Sequence, residues 1–184
     1  GKFLPADLIR KAPKEAINLH PSLLPKYRGA APIQWAILNG DRTTGVTTMK
    51  VADQMDAGDI YLQKEMVIQK NDTSESLHDR LSQVGAQLVL ETVAGLEREN
   101  LKTTPQDPKK VGWAPKLTKE MGLLDFTQPA AELERKIRAL HPWPGTYFLW
   151  EGKQLIVHRV EVVPTAEEKT GAEWVIPCGQ GSLR

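Results

Sequence analysis

The chain has 184 residues, of which 40% are hydrophobic and 26% are charged, and its formal net charge is +1. This balance is typical of a folded globular protein, argues against a disordered chain, and gives no compositional sign of a nucleic-acid partner. No apolar run approaches the roughly 20 residues that a membrane-spanning helix needs, and the single cysteine, Cys178, excludes an internal disulfide.

The first elements of the chain are a predicted helix and a predicted strand. Residues 3–13, FLPADLIRKAP, predict a short helix with prolines near both ends. Residues 15–20, EAINLH, predict a short strand that ends in Asn18 and His20. Because side chains alternate across a strand, we expect these two side chains to point to the same side.

A second helix and two strands follow. Residues 32–40, PIQWAILNG, predict a compact helix with a proline early in it and a glycine at its end. Residues 44–52 and 59–68 are rich in β-branched and aromatic side chains and predict two strands. Between them lies the polar loop DQMDAG at 53–58.

The longest periodic segment, residues 72–99, predicts a long helix. We expect its apolar face to consist of Leu77, Leu81, Val84, Leu88 and Val93, with Leu96 close by. Its candidate N-caps are Asp72, Thr73 and Ser74.

The sequence pattern changes after this helix. Residues 100–118 contain three prolines and show no periodicity, which predicts a linker. Beyond it, residues 129–141 predict a helix, and residues 146–163 predict a β-hairpin that turns at Glu151-Gly152. The expected division is therefore a first domain at 1–99, a linker at 100–118 and a smaller, mostly β domain at 119–184.

One group of residues has the chemistry of a carbonyl-activating site. The imidazole of His20 can donate a proton or a hydrogen bond near neutral pH, and the amide of Asn18 is a neutral donor beside it. The carboxylate of Asp56 can fix the tautomer of an imidazole and favour its cation. Together they could stabilise an oxyanion during acyl transfer. From spacing alone, however, a structural Asn and His pair at a strand end is the commoner outcome.

Other kinds of site fit the sequence poorly. The acids Asp53, Asp56 and Asp59 do not follow the spacing of a calcium-binding loop, so we expect no metal. No G-x-S-x-G elbow, P-loop or complete G-x-G-x-x-G occurs.

The segment INLHPSLLPKYRGAAPIQWAILNGDRTTGVTTMKVADQMDAGDI resembles the signature region of the 10-formyltetrahydrofolate-dependent formyltransferases. The resemblance implies a catalytic trio of Asn18, His20 and Asp56, a formyl donor, 10-formyltetrahydrofolate, and no metal. It also implies that the S-L-L-P turn contacts the folate. The residues of that turn are Ser22, Leu23, Leu24 and Pro25.

The second half of the chain is similar to the methionyl-tRNA branch of this family, on GWAPKLTKEMGLLDF and ELERKIRALHPWPGTYFLWEGKQLIVHRVEV. That branch implies an α/β fold in which a Rossmann-like domain, incomplete here, precedes an OB-like β-barrel that is truncated here. The family's first parallel strands would precede Gly1, which implies exposed sheet edges and a fragment that is inactive or poorly folded on its own. It further implies initiator Met-tRNA as acceptor, a monomer, and the cytoplasm of a bacterium or an organelle matrix.

Other readings of the same residues stay open. Amino-sugar formyltransferases and the hydrolase-like domain of formyltetrahydrofolate dehydrogenase share the N-x-H and D-A-G patterns. A different class would be an RNA-binding module, formed by the β-rich tail, with an inactive front half. The trio does not explain Arg28, which we expect to brace the loop or the nearby carboxylates.

Overall fold

The computed structural model describes residues 9, 11, 15–164 and 174–184, and the helix predicted at 3–13 falls largely outside this range. The chain divides into two compact units. The first contains Gly1–Ile33, Arg42–Ile68 and Leu77–Lys116. The second contains Gln34–Asp41, Gln69–Ser76 and Leu117–Arg184.

A three-stranded sheet forms the first unit's centre. Its strands are β1 (Ile17–His20), β3 (Thr43–Lys50) and β4 (Ile60–Val67), in the order β1-β3-β4. The predicted strands are thus confirmed, and so is the compact helix α1 (Pro32–Leu38). The central strand β3 has six consecutive buried residues, so both of its faces are covered.

Both strand pairings in this sheet are antiparallel. The resemblance placed its parallel strands before Gly1, so these pairings do not test that expectation. The connection from β3 to β4, residues 51–59, is shorter than the dozen or more residues that a parallel crossover requires. Strand β1 lies at an edge of the described sheet.

The long helix is confirmed as α2 (Ser74–Glu97). Of the three candidate caps, Thr73 occupies the N-cap position. The Thr73 hydroxyl oxygen accepts a hydrogen bond from the backbone N–H of Ser76 at 3.2 Å. In return, the Ser76 hydroxyl oxygen accepts one from the backbone N–H of Thr73 at 3.1 Å. Each hydroxyl therefore satisfies a backbone donor that the first helical turn leaves without a partner.

The prediction of the apolar face was wrong at one residue, Val93. Leu77, Leu81 and Leu88 are buried, but Val93 is 39% exposed, and Thr92 is buried in its place. Because each helical residue turns about 100°, a side chain four residues after Leu88 stays on its face and one five residues after it leaves. The Thr92 hydroxyl lies 2.7 Å from that of Thr48 on β3 and donates to the Leu88 carbonyl.

The segment predicted as a linker carries structure within the first unit. Thr104 and Ile60 exchange two backbone hydrogen bonds of 2.8 Å. A short 3-10 helix, Pro108–Lys110, follows, and then strand β5 (Trp113–Ala114). Strand β5 pairs in parallel with β2 (Arg28–Gly29). Residues up to Lys116 therefore pack on the first unit.

The second unit combines a helix, α3 (Ala130–Ala139), with short strands. Strands β6 (Thr146–Trp150) and β7 (Lys153–Val157) form the predicted hairpin. Its turn residues Glu151 and Gly152 have φ of 48° and 75°, as a two-residue type I′ turn requires. Strands β8 (Val162–Val163), β9 (Ile176–Pro177) and β10 (Ser182–Leu183) form a second antiparallel sheet.

A small core holds these elements together. It consists of Leu124, Ala130, Leu133, Ile137 and Leu183. The described strands of this unit form two separate sheets. The chain is thus mixed α/β. Within the part that the structure describes, no helix combines the length and the apolar character needed to cross a membrane.

The thiol of Cys178 packs at the margin of this core, and burial raises its pKa. Because the thiolate is the reactive form, we expect iodoacetamide near pH 8 to alkylate Cys178 several-fold more slowly in the folded chain than in the unfolded chain. As the pH rises, the rate should level off at a higher pH in the folded chain than in the unfolded chain. Mass spectrometry over time, with a urea-unfolded control, measures this. Equal rates in the two states would contradict it.

Candidate active site

Strand β1 presents Asn18 and His20 on one face. Asn18 lies opposite Met49 of β3, and His20 lies opposite Thr47. Leu19, between them on the other face, lies opposite Thr48 and is 36% exposed. His20 is only 4% exposed, while Asn18 is half-buried. The carboxamide of Asn18 makes no hydrogen bond to any residue in the described part of the chain.

The two ring nitrogens of His20 face different groups. Nε2 donates to the backbone carbonyl of Tyr27 at 2.7 Å. Nδ1 lies 3.7 Å from Oδ1 of Asp56, which is close enough for charge attraction and too long for a hydrogen bond. Since Nε2 serves the carbonyl, Nδ1 is the nitrogen that remains for a substrate atom or a water near Asp56.

The turn after β1 is closed by its own serine. Ser22, fully buried, accepts a hydrogen bond from the backbone N–H of Tyr27 at 3.0 Å and donates to the Tyr27 carbonyl at 3.1 Å. The Tyr27 carbonyl thus receives two donors, one from Ser22 and one from His20. The turn and the imidazole hold each other in place.

The same turn is anchored to the sheet. The hydroxyl of Thr47 donates to the Ser22 carbonyl at 2.6 Å and accepts from the backbone N–H of Leu24 at 3.2 Å. The four residues predicted to contact a folate therefore separate into two kinds. Ser22 and Leu24 are buried and shape the turn, whereas Leu23 and Pro25 are partly exposed.

The carboxylate comes from the loop between β3 and β4. Asp56 has φ of 51°, a left-handed conformation that Asp tolerates better than most residues. Its Oδ2 accepts the backbone N–H of Gly29 at 2.8 Å, while its Oδ1 faces His20. Gly58, two residues on, packs directly on the backbone of Lys50, where a Cβ would overlap the carbonyl oxygen.

Gly29 is needed both for its backbone conformation and for its lack of a side chain. It has φ of 116°, and a Cβ at this position would lie 2.6 Å from the carbonyl oxygen of Ala114 on β5. This close approach lets β2 pair with β5 while the Gly29 N–H points at Asp56.

Arg28 braces the loop through an intermediary that the sequence did not reveal. Its Nε and Nη2 donate to the side-chain oxygen of Gln106 at 2.9 and 2.8 Å. The amide nitrogen of Gln106 donates in turn to the carbonyls of Asp56 and Gly58, both at 2.8 Å. The expectation that Arg28 braces the loop is confirmed, and its guanidinium acts through Gln106. Gln106 was missed because its segment shows no periodicity; its place between two prolines was the available signal.

The structure therefore brings His20 and Asp56 together and places Asn18 on the same face of β1. Buried donors beside a carboxylate are suited to stabilise an oxygen that becomes negative during a reaction at a carbonyl. In the described residues, no group of three or more His, Cys, Asp and Glu side chains could hold a metal ion.

Two family models match the sequence. The model of the formyl transferase family matches residues 1–93, and the model of the formyl transferase C-terminal domain matches residues 116–184.

Curated relatives match over nearly the whole chain. A methionyl-tRNA formyltransferase of Caldanaerobacter subterraneus subsp. tengcongensis is 40% identical over 191 residues, covering 100% of this chain and 62% of that protein. A protein of the same name from Koribacter versatilis is 46% identical over 168 residues, covering 91% and 54%. The chain thus spans about six tenths, or less, of the length of these relatives.

Solved structures share the fold. HypX of Aquifex aeolicus, in complex with tetrahydrofolic acid, aligns with 100% of this chain and 33% of its own, with a TM-score of 0.79 and 23% identity. A 4-N formyltransferase of Francisella tularensis aligns with 85% of this chain and 65% of its own, with a TM-score of 0.74 and 23% identity.

Proposed function

The chain belongs to the formyl transferase family, and on that premise we propose that the full-length protein formylates initiator Met-tRNA for translation initiation. The formyl group comes from 10-formyltetrahydrofolate and the acceptor is the α-amine of the methionine. The observation that carries the proposal is the buried His20 beside Asp56, on the strand face that also bears Asn18. The names of the curated relatives support the tRNA acceptor.

The residues take the following roles in this proposal. As the acceptor amine adds to the formyl carbon, negative charge develops on the formyl oxygen. The Asn18 amide and Nδ1–H of His20 donate hydrogen bonds to that oxygen. Asp56 orients His20 and favours its charged form. A water passes the amine proton to the folate nitrogen, which leaves as a neutral amine as the carbonyl reforms. No covalent enzyme intermediate and no metal takes part.

The turn after β1 is the proposed folate contact. Leu23 and Pro25 are its partly exposed members, so they offer apolar surface to a flat ring system. Ser22 and Leu24 are buried, and their contacts to Tyr27 and Thr47 fix the path of the turn's backbone. The likeness to a structure that holds tetrahydrofolic acid is a likeness of fold, and the contact itself is our proposal.

The finer organisation is also proposed. We assign residues 1–99 to a Rossmann-like catalytic domain, 100–118 to a connection, and 119–184 to an OB-like domain. The connection also belongs structurally to the first unit, since its residues up to Lys116 pack there. We further propose a monomer in the cytoplasm of a bacterium, since the curated relatives come from bacteria.

A competition assay tests the proposed activity. The full-length protein receives 10-formyltetrahydrofolate together with Met-tRNA, a UDP-4-amino sugar and water as competing acceptors, and mass spectrometry identifies the formylated product. We expect formyl-Met-tRNA. Preferential formylation of the sugar, or release of formate, would assign the protein to another branch, and RNA binding without any transfer would support the binding-module alternative.

The variant Asp56→Asn tests the trio in the same assay. Asparagine keeps the shape of the side chain but removes the negative charge beside His20. We therefore expect the transfer rate to fall by about 100-fold or more. Asp53→Asn is the matched control, because Asp53 is an exposed acid of the same loop. Transfer at the unsubstituted rate in Asp56→Asn would remove Asp56 from the proposed trio.

A further inference from the structure

Gln106 connects the segment after α2 to the loop that carries the carboxylate. Its side-chain oxygen receives two hydrogen bonds from Arg28, and its amide nitrogen donates one each to the carbonyls of Asp56 and Gly58. All four distances lie between 2.8 and 2.9 Å. The side chain is partly buried, and every one of its strong donor and acceptor positions is used.

This arrangement has only one amide orientation. A guanidinium offers donors alone, so the end of Gln106 that faces Arg28 must be the oxygen. The nitrogen then faces the two carbonyls of the loop, which accept and cannot donate. Reversing the amide would set donors against donors and acceptors against acceptors. Arg28 therefore fixes which end of Gln106 meets the loop.

Strand β2 consequently holds Asp56 at two points. Gly29 reaches the carboxylate directly through its backbone N–H. Arg28 acts on the Asp56 carbonyl through Gln106. The two anchors hold a residue with φ of 51°, a conformation that an unrestrained loop populates sparsely. With one anchor removed, the carboxylate keeps its hydrogen bond to Gly29, but its backbone is freer to relax away from His20.

We propose that Gln106 is a positioning residue that sets the distance between Asp56 and His20 by clamping the backbone of the carboxylate loop. Its role in formyl transfer rests on the function proposed above. Because misplacing a reacting or charge-stabilising group by about 1 Å can cost on the order of 100-fold in rate, loss of the clamp should appear in kcat. The KM values should change little, since Gln106 contacts the backbone carbonyls of the loop and is not assigned to either substrate.

Two substitutions in the full-length protein separate this role from simple packing. Gln106→Ala removes the whole clamp. Gln106→Glu keeps a partner for Arg28, and a stronger one, but replaces both donors to the loop with an oxygen. The matched controls are Gln83→Ala and Gln83→Glu, because Gln83 is an exposed glutamine of α2. Thermal melts establish that each variant is folded before its kinetics are compared.

We expect both Gln106 variants to lower kcat by about 10-fold to 100-fold with unchanged KM, and both Gln83 variants to match the unsubstituted protein. If Gln106 only anchors Arg28, Gln106→Glu will retain full kcat, and the proposal is overturned. A rise in KM with unchanged kcat would also overturn it, because that result indicates a substrate contact.

The imidazole nitrogen chemical shifts of His20, measured by NMR, give a readout that does not depend on activity. They should move in both Gln106 variants, since the neighbouring carboxylate moves, and stay fixed in the Gln83 variants. If the unsubstituted protein formylates no acceptor, the proposed function fails while these shifts still decide the positioning role. Unchanged His20 shifts in Gln106→Ala would refute the clamp.

Discussion

Replacing His20 by alanine in the full-length protein is expected to lower kcat for formyl transfer by about 100-fold to 10,000-fold. The substitution removes the only imidazole near Asp56 in the described residues and, in the proposed mechanism, one of the two donors to the formyl oxygen. The carboxylate is then left beside a small cavity without its imidazole neighbour. Single-turnover rates with Met-tRNA, under saturating donor, measure the effect on the chemical step.

The loss should be one of catalysis and not of folding. In the unsubstituted chain the Tyr27 carbonyl receives donors from both His20 and Ser22, so it keeps the Ser22 hydroxyl in the variant. His78→Ala is the matched control, because the His78 side chain is 65% exposed on α2 and pairs with its neighbour Asp79. We expect the control to transfer at the unsubstituted rate. A His20→Ala protein that is folded and within a few-fold of that rate would refute the assignment.

Gly58→Ala is expected to destabilise the fold by about 1 to 3 kcal/mol and to reduce formyl transfer at the same time. A Cβ at this position overlaps the carbonyl oxygen of Lys50 and lies 2.8 Å from the carbonyl carbon. Both atoms belong to backbone, which has no alternative rotamer to adopt, so the loop must move. Since Asp56 is two residues away, the carboxylate should move with it. Urea unfolding and the transfer assay measure the two effects.

Gly152→Ala separates steric overlap from backbone strain. Gly152 has φ of 75° in the β6–β7 turn, and a Cβ there meets nothing within 4 Å. Its alanine variant therefore bears only the cost of a left-handed conformation, on the order of 1 to 2 kcal/mol. We expect it to leave transfer unchanged. If Gly58→Ala also leaves transfer unchanged while lowering stability, the loop absorbs the overlap without displacing Asp56.

Local signals predicted most of the elements near the site. The apolar run before Asn18 and His20 correctly indicated a strand, and two-residue alternation correctly put both on one face. Proline and glycine correctly marked the limits of α1. The Glu151-Gly152 pair gave the β6–β7 turn, because few dipeptides adopt two successive left-handed conformations. The roles of Asn18, His20 and Asp56 came from the resemblance and stay a prediction.

The features that the sequence did not predict depend on contacts between distant parts of the chain. Thr92 is buried because a second hydroxyl, on Thr48, meets it across 2.7 Å, and periodicity in α2 alone favoured the apolar Val93. The amide of Gln106 finds its partners in two other segments, so its own neighbours reveal nothing about them. Polar groups satisfied across such separations have no periodic pattern to detect.

The parallel pairing of β2 with β5 also constrains when the site can form in the cell. The strand that holds Asp56 is itself held by Trp113 and Ala114, which the ribosome adds long after His20. At about 5 to 20 residues per second, the interval is on the order of 5 to 20 s. During that time a nascent chain carries the imidazole without its fixed carboxylate. The contacts around His20 and Asp56 are thus complete only after most of the first unit has been synthesised.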